Sequence, residues 1–225
     1  MAAHEQVTMV LDDAAVAAAL LDASCALAQL MRRELQLVYV ESRAALAAAA
    51  LPSTQVLARS AVAWAPLAPA DVERGWQAEA ARLRTLAGRA GARHAVGWSL
   101  RVVRGALDEA AMALRTETDL LLVAGAPAPF AALRRPRRPH VVALDNGEKS
   151  GRAALQVAAQ LAQALGAKLE TRKLATQPPA AAWASDADLL VLPAEALAAL
   201  PAGVRHAPLL LVGSGAERDA LEDLR

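Results

Sequence analysis

The sequence predicts an α/β protein in which parallel open sheets are flanked by helices and arranged as two units. Three observations carry this reading. Apolar runs of four to six residues recur along the chain, alanine-rich segments of helical period follow several of them, and several runs stop at Asp or Gly. Runs of that length bounded by turn-forming residues suit buried strands, and strand–helix–strand succession suits a parallel sheet.

Taken in order, Val7 to Leu11 is the first strand and Asp12-Asp13 ends it. Val16, Leu20, Ala23, Leu27 and Leu30 then recur at helical spacing, with Asp22, Gln29 and Arg33 assigned to the opposite side. Leu35 to Val40 is the second strand, which completes a βαβ unit. Glu41 to Ala70 lacks one clear period and is punctuated by Pro52, Pro66 and Pro69, so it should hold a helical turn or two at most. Asp71 is placed to cap the next helix, whose stripe is Val72, Trp76, Ala80, Leu83 and Leu86. Trp98 to Val103 alternates as strand three. A short helix follows with Leu107, Ala111 and Leu114 inward and Asp108-Glu109 in its first turn, where the helix dipole favours acids. Asp119 to Ala124 is strand four.

Pro127, Pro129, Pro136 and Pro139 interrupt the pattern, and beyond them the order begins again. Val141 to Leu144 is a strand, Asp145-Asn146-Gly147 a turn, and Ser150 to Leu165 a helix with Ala154, Ala158, Leu161 and Leu165 on one face. Lys168 to Leu174, Ala187 to Leu192 and Leu209 to Val212 supply three more strands. Pro178 to Asp186 allows a short helix at most, and Glu217 to Leu224 suits a terminal one. The expected units are residues 1–136 and 137–225, the second short of chain and with room for four strands. The strand near 141 could close the first unit or open the second.

Composition excludes several classes. The formal charge of +1 gives no global case for nucleic acid or an anionic membrane, and few aromatic rings are available to stack on bases. One cysteine, Cys25, rules out an intramolecular disulfide; inside an alanine-rich helix it reads as a buried, inert thiol. The amino terminus lacks a basic region followed by an apolar stretch, and Ala14 to Met31 is too short and too polar for a membrane span. A soluble cytoplasmic protein is the expectation.

The halves look related. MVLDD (Met9 to Asp13) and VALDN (Val142 to Asn146) each precede an alanine-rich helix, and TDLLLVAG (Thr118 to Gly125) recurs as ADLLVLPA (Ala187 to Ala194). LDNGEKSGRAAL (Leu144 to Leu155) resembles the first strand-to-helix turn of the universal stress protein family. Arg101 to Gly125 is similar to that family's third strand, glycine, helix and fourth strand, and RHAPLLLVG (Arg205 to Gly213) to the lead into its fifth. The resemblance implies a universal-stress-protein/adenine nucleotide alpha hydrolase-like fold in tandem, packed as an intramolecular pseudo-dimer. Further homodimerisation stays open.

ATP-binding members of the family carry a loop after strand four of the form Gly, two residues, Gly, nine residues, Gly, then Ser or Thr. Such a loop brings backbone N–H groups close to phosphates. Here Gly125 matches the first glycine, but Ala128 stands at the second and no Gly-Ser or Gly-Thr pair follows in that half. The corresponding stretch of the second half, Pro193 to Leu200, has no glycine. The resemblance therefore implies a degenerate site, no ATP binding and no cofactor.

Candidate ligand-binding residues are Asp12, Asp13, Gly125, Arg134, Arg135 and Asp145. Asp12 and Asp145 sit at matching strand ends, where the family places an aspartate near a nucleotide base; the ordinary reading is a helix cap. Asp13 adds a carboxylate, but adjacent carboxylates supply too few oxygens for a hard cation, so no metal is expected. Arg134 and Arg135, with Arg137 and Arg138, could clamp a phosphate or form a solvated, proline-stiffened linker, the favoured reading. His4, His94, His140 and His206 lack metal-ligand spacing, His140 and His206 read as strand-boundary residues, and no Gly-x-Ser-x-Gly elbow exists. The four tryptophans read as core or interface groups.

The expectation is a non-catalytic regulatory or stress-response protein acting on a protein partner or small ligand. Alternatives are a nucleotide or phosphate sensor using Asp12, Gly125 and the arginines, and, further off, a nucleotide hydrolase. An exposed apolar surface around Ala44 to Ala68 would favour partner binding; a polar one would count against it.

Overall fold

All the apolar runs enter one sheet. The computed structural model describes residues 6–56, 64–124, 139–174, 187–199 and 208–213. Its strands are β1 (Gln6–Leu11), β2 (Glu34–Ser42), β3 (Gln55–Val56), β4 (Ala65–Pro66), β5 (Trp98–Gly105), β6 (Leu120–Ala124), β7 (His140–Asp145), β8 (Lys168–Lys173), β9 (Leu189–Pro193) and β10 (Leu209–Val212). The helices are α1 (Ala14–Leu30), α2 (Arg43–Ala49), α3 (Pro69–His94), α4 (Leu107–Leu114) and α5 (Lys149–Ala164), with a 3-10 turn at Ala194–Ala199.

Eight strands form an open sheet in the order β5-β2-β1-β6-β10-β9-β7-β8, while β3 and β4 pair only with each other. The pairings β5–β2, β2–β1 and β1–β6 are parallel, as are β10–β9, β9–β7 and β7–β8; β6–β10 is antiparallel. Chain direction thus reverses once, at the centre. The strand at 140–145 lies between β8 and β9 and does not border β6. Among the described residues, four strands, β7 to β10, follow residue 139.

The central strands are buried on both faces, which explains why β6, β9 and β10 are almost purely aliphatic. On one face Val7, Met9, Leu37, Leu122, Val141, Val191 and Leu210 pack under α1, α3 and α5 in one cluster. On the other, Val10, Val38, Leu121, Val142, Leu190 and Leu211 meet α4 and the 3-10 turn. Both clusters join residues from either side of the 136/137 boundary, so each face has one shared core. The edge strands carry charge instead: Arg101 and Arg104 on β5, and Lys168, Glu170, Arg172 and Lys173 on β8.

Several expectations need correction. Arg33 does not sit on the outer side of α1. The helix stops at Leu30, Arg32 takes φ 52, and the Arg33 guanidinium turns inward to Asp119, 3.6 Å away. Leu30, placed on the inward stripe, is 44% exposed, whereas Cys25 and Ala28 are buried. Helix α1 is buried nearly all round because α3 and α5 flank it, and Asp22 meets Arg93 (2.8 Å) and His94 (3.5 Å) of α3. Asp71 is not the N-cap of α3. That position is Ala68, and Asp71 in the first turn accepts from the Ala68 N–H at 3.1 Å. The reciprocal half of a capping box is impossible, since alanine has no side-chain acceptor. The stretch Glu41 to Ala70 holds α2 and the β3–β4 ribbon. Pro178–Asp186 and Glu217–Leu224 lie outside the described residues.

Cys25 is buried as expected. Burial, with Asp22 adding and Arg93 opposing, pushes its thiol from 9.0 up to about 11. Tyr39 is also buried; burial first, then Glu79, Glu41, Asp12 and Asp13, push its phenol from 10.0 up to about 12. Both groups hold their protons more tightly folded than unfolded. Their stabilising contribution is therefore whole below about pH 9 and is lost as pH rises toward 12. Melting curves taken from pH 8 to 11 should show a midpoint that falls steadily above pH 9. An unchanged midpoint would contradict the burial of both groups.

Candidate functional site

In open α/β sheets ligands collect outside the carboxyl ends of strands. The reversal at β6–β10 gives this sheet two such rims on opposite sides. One takes the ends of β1, β2, β5 and β6; the other takes those of β7, β8, β9 and β10. Asp12 and Asp13 therefore lie on one rim and Asp145 on the other, and the structure does not bring them together. Gly125, Arg134 and Arg135 lie outside the described residues, as do Arg137 and Arg138.

On the first rim, Asp13 is the N-cap of α1 and accepts from the Ala15 N–H at 2.7 Å. The adjacent Ala14 N–H donates to Glu79 Oε2 of α3 at 2.8 Å. A helix amino terminus leaves its first N–H groups without intrahelical partners and attracts anions. Here two of those donors are already filled by the protein's own carboxylates. Asp12 is exposed beside them. Glu41, at the end of β2, accepts from Arg104 Nε at 2.8 Å, and Arg104 also lies 3.7 Å from Glu73 and 5.6 Å from the Trp76 ring centre. The Glu41 hydrogen bond and charge hold the Arg104 guanidinium above its usual range. Among the described residues this rim is acidic, and Arg104 beside it is engaged by Glu41.

Glu79 and Glu41 were not singled out from the sequence. A signal existed for Glu79: it stands next to Ala80 and three residues after Trp76, one turn on, so it borders the inward stripe of α3.

The second rim is built by a tight turn. Asp145 Oδ1 accepts from the Gly147 N–H at 2.8 Å, and Asn146 Oδ1 from the Glu148 N–H at 3.0 Å, two successive Asx turns. Gly147 takes φ +80, which a side chain would resist. Asn146 Nδ2 reaches Ser150 Oγ at 3.1 Å and Glu195 Oε1 at 3.4 Å. Asp145 thus terminates its strand locally; the N-cap position of α5 belongs to Glu148. The turn folds closely onto α5. A Cβ on Gly151 would meet Asn146 Oδ1, come within 2.5 Å of Asp145 Oδ1 and lie 3.0 Å from the Asn146 nitrogen. Gly151→Ala should cost about 1–3 kcal/mol despite alanine's better helix propensity. Urea denaturation would measure it, and a stabilised variant would show that the turn is not packed this way.

Among the described residues, no group of three or more His, Cys, Asp or Glu is arranged to hold a metal ion, and no helix is long and apolar enough to cross a membrane. His140 is the first residue of β7, largely buried, with Nε2 3.1 Å from Glu170 Oε2; its backbone N–H donates to Asp188 Oδ2 at 2.8 Å. The hydrogen bond from Arg172, with Lys168 and His140 nearby, keeps the Glu170 carboxyl below its usual range. This cluster joins three neighbouring strands and has the form of a structural clasp.

The exposed large apolar side chains include Leu30, Val102, Met112 and Leu169 and, on the connection between β2 and α3, three more. Leu51, Val56 and Trp64 are 59%, 39% and 65% exposed. Val56 pairs with Ala65 across the ribbon, which puts Trp64 beside it. The tryptophans therefore divide: Trp76 is core, Trp98 packs against Gly88 and Gly91, Trp64 faces solvent, and Trp183 lies outside the described residues. In comparison with known proteins, the chain matches no family model and no curated protein sequence.

Proposed function

We propose that this chain is a non-catalytic, cytoplasmic regulatory or stress-response protein of the universal-stress-protein type, which acts by binding a partner and not by binding ATP. The observation that carries the proposal is the exposed apolar surface of Leu51, Val56 and Trp64. Large apolar groups gathered on one connection, in a protein with ample aliphatic core elsewhere, suit a contact surface. The carboxylates filling the amino end of α1 support the second half of the statement.

The tandem reading draws support from correspondence between the halves. β1, α1, β2 and β6 parallel β7, α5, β8 and β9 in order, and Asp119 and Asp188 precede β6 and β9. On this reading the first unit lacks its fifth strand and β10, the fifth of the second, pairs with β6 in its place. The contact then joins unlike strands, so the pseudo-twofold is approximate.

The test is a thermal titration with ATP, AMP, cyclic dinucleotides and inorganic phosphate, with and without magnesium. A ligand at ~100 times its Kd adds roughly 2.7 kcal/mol, enough to raise the midpoint visibly. No shift is expected. A raised midpoint with any of them would replace this proposal with the phosphate or nucleotide sensor. In parallel, changing Leu51, Val56 and Trp64 to Ser should alter stability by only about 0.5 kcal/mol while abolishing co-purification of a partner. A partner retained at full yield would remove this surface from consideration.

A further inference from the structure

We draw no further inference here: the strongest candidate, the exposed apolar surface of Leu51, Val56 and Trp64 on the connection between β2 and α3, belongs to the binding role already proposed, and nothing in the structure shows what covers it.

Discussion

Asp119→Ala is expected to destabilise the protein by about 3 kcal/mol, near the lower end of what breaking a buried ion pair costs. The Asp119 carboxylate lies 3.6 Å from Arg33 Nη1, and the two side chains are only 7% and 9% exposed. Removing the acid deletes the carboxylate that faces a largely buried guanidinium. The distance is long for a direct hydrogen bond, which is why the lower end applies. The position is also central: the Asp119 carbonyl accepts from the Gly213 N–H at 2.7 Å, beside the β6–β10 junction, and the preceding Thr118 hydroxyl donates to the Gln6 carbonyl at 3.1 Å. The double variant Arg33→Met/Asp119→Leu should recover most of the loss, because both members of the ion pair are then replaced by apolar groups. Chemical denaturation of the two single variants and the double one completes the cycle. A single-variant loss below about 1 kcal/mol, or strict additivity, would show that the pair is not coupled in the way the geometry implies.

Leu210→Ala should cost about 3–4 kcal/mol and lower the whole transition together. Leu210 is fully buried in the middle of β10, opposite Leu122 of β6 on one side and Val191 of β9 on the other. It belongs to the cluster that also contains Leu21 of α1, Leu83 of α3 and Leu161 of α5. A cavity there removes packing from strands on both sides of the direction reversal. Three of the four tryptophans, Trp64, Trp76 and Trp98, lie in the first part of the chain, so fluorescence is weighted toward it, while far-UV circular dichroism reports on all of it. The two probes should unfold at one midpoint, displaced equally by the substitution. Two separate transitions, with tryptophan fluorescence unmoved, would mean that the sheet is not one cooperative body.

Much of the local structure was legible because short-range physics specifies it. Runs such as LLLVA at β6 and LLLV at β10 are too short and too aliphatic for surface helices, and both became buried strands. The stripe of α5 was readable since Ala154, Ala158 and Leu161 follow the helical repeat and all three are buried. Of the candidate ligand residues, Asp13 caps α1 and Asp145 makes an Asx turn, local roles that aspartate commonly plays. Glu79 illustrates the opposite case. Its meaning depends on reaching the amino end of a helix 65 positions away in sequence.

By itself, then, the sequence determined the α/β class, the order of the eight strands of the main sheet and of the longer helices, the buried thiol and the inward stripe of α5. These depend on propensity and periodicity within windows of a few residues. Only the tertiary structure decided that one eight-stranded sheet forms, that its direction reverses at β6–β10, and that Asp12 and Asp145 stand on opposite rims. It also turned Arg33 inward to Asp119, a residue 86 positions away. The physical reason is the same in each instance. An apolar strand buried on both faces carries no local mark of its neighbour or its direction, and a charge carries none of its partner; both are settled only when distant segments meet.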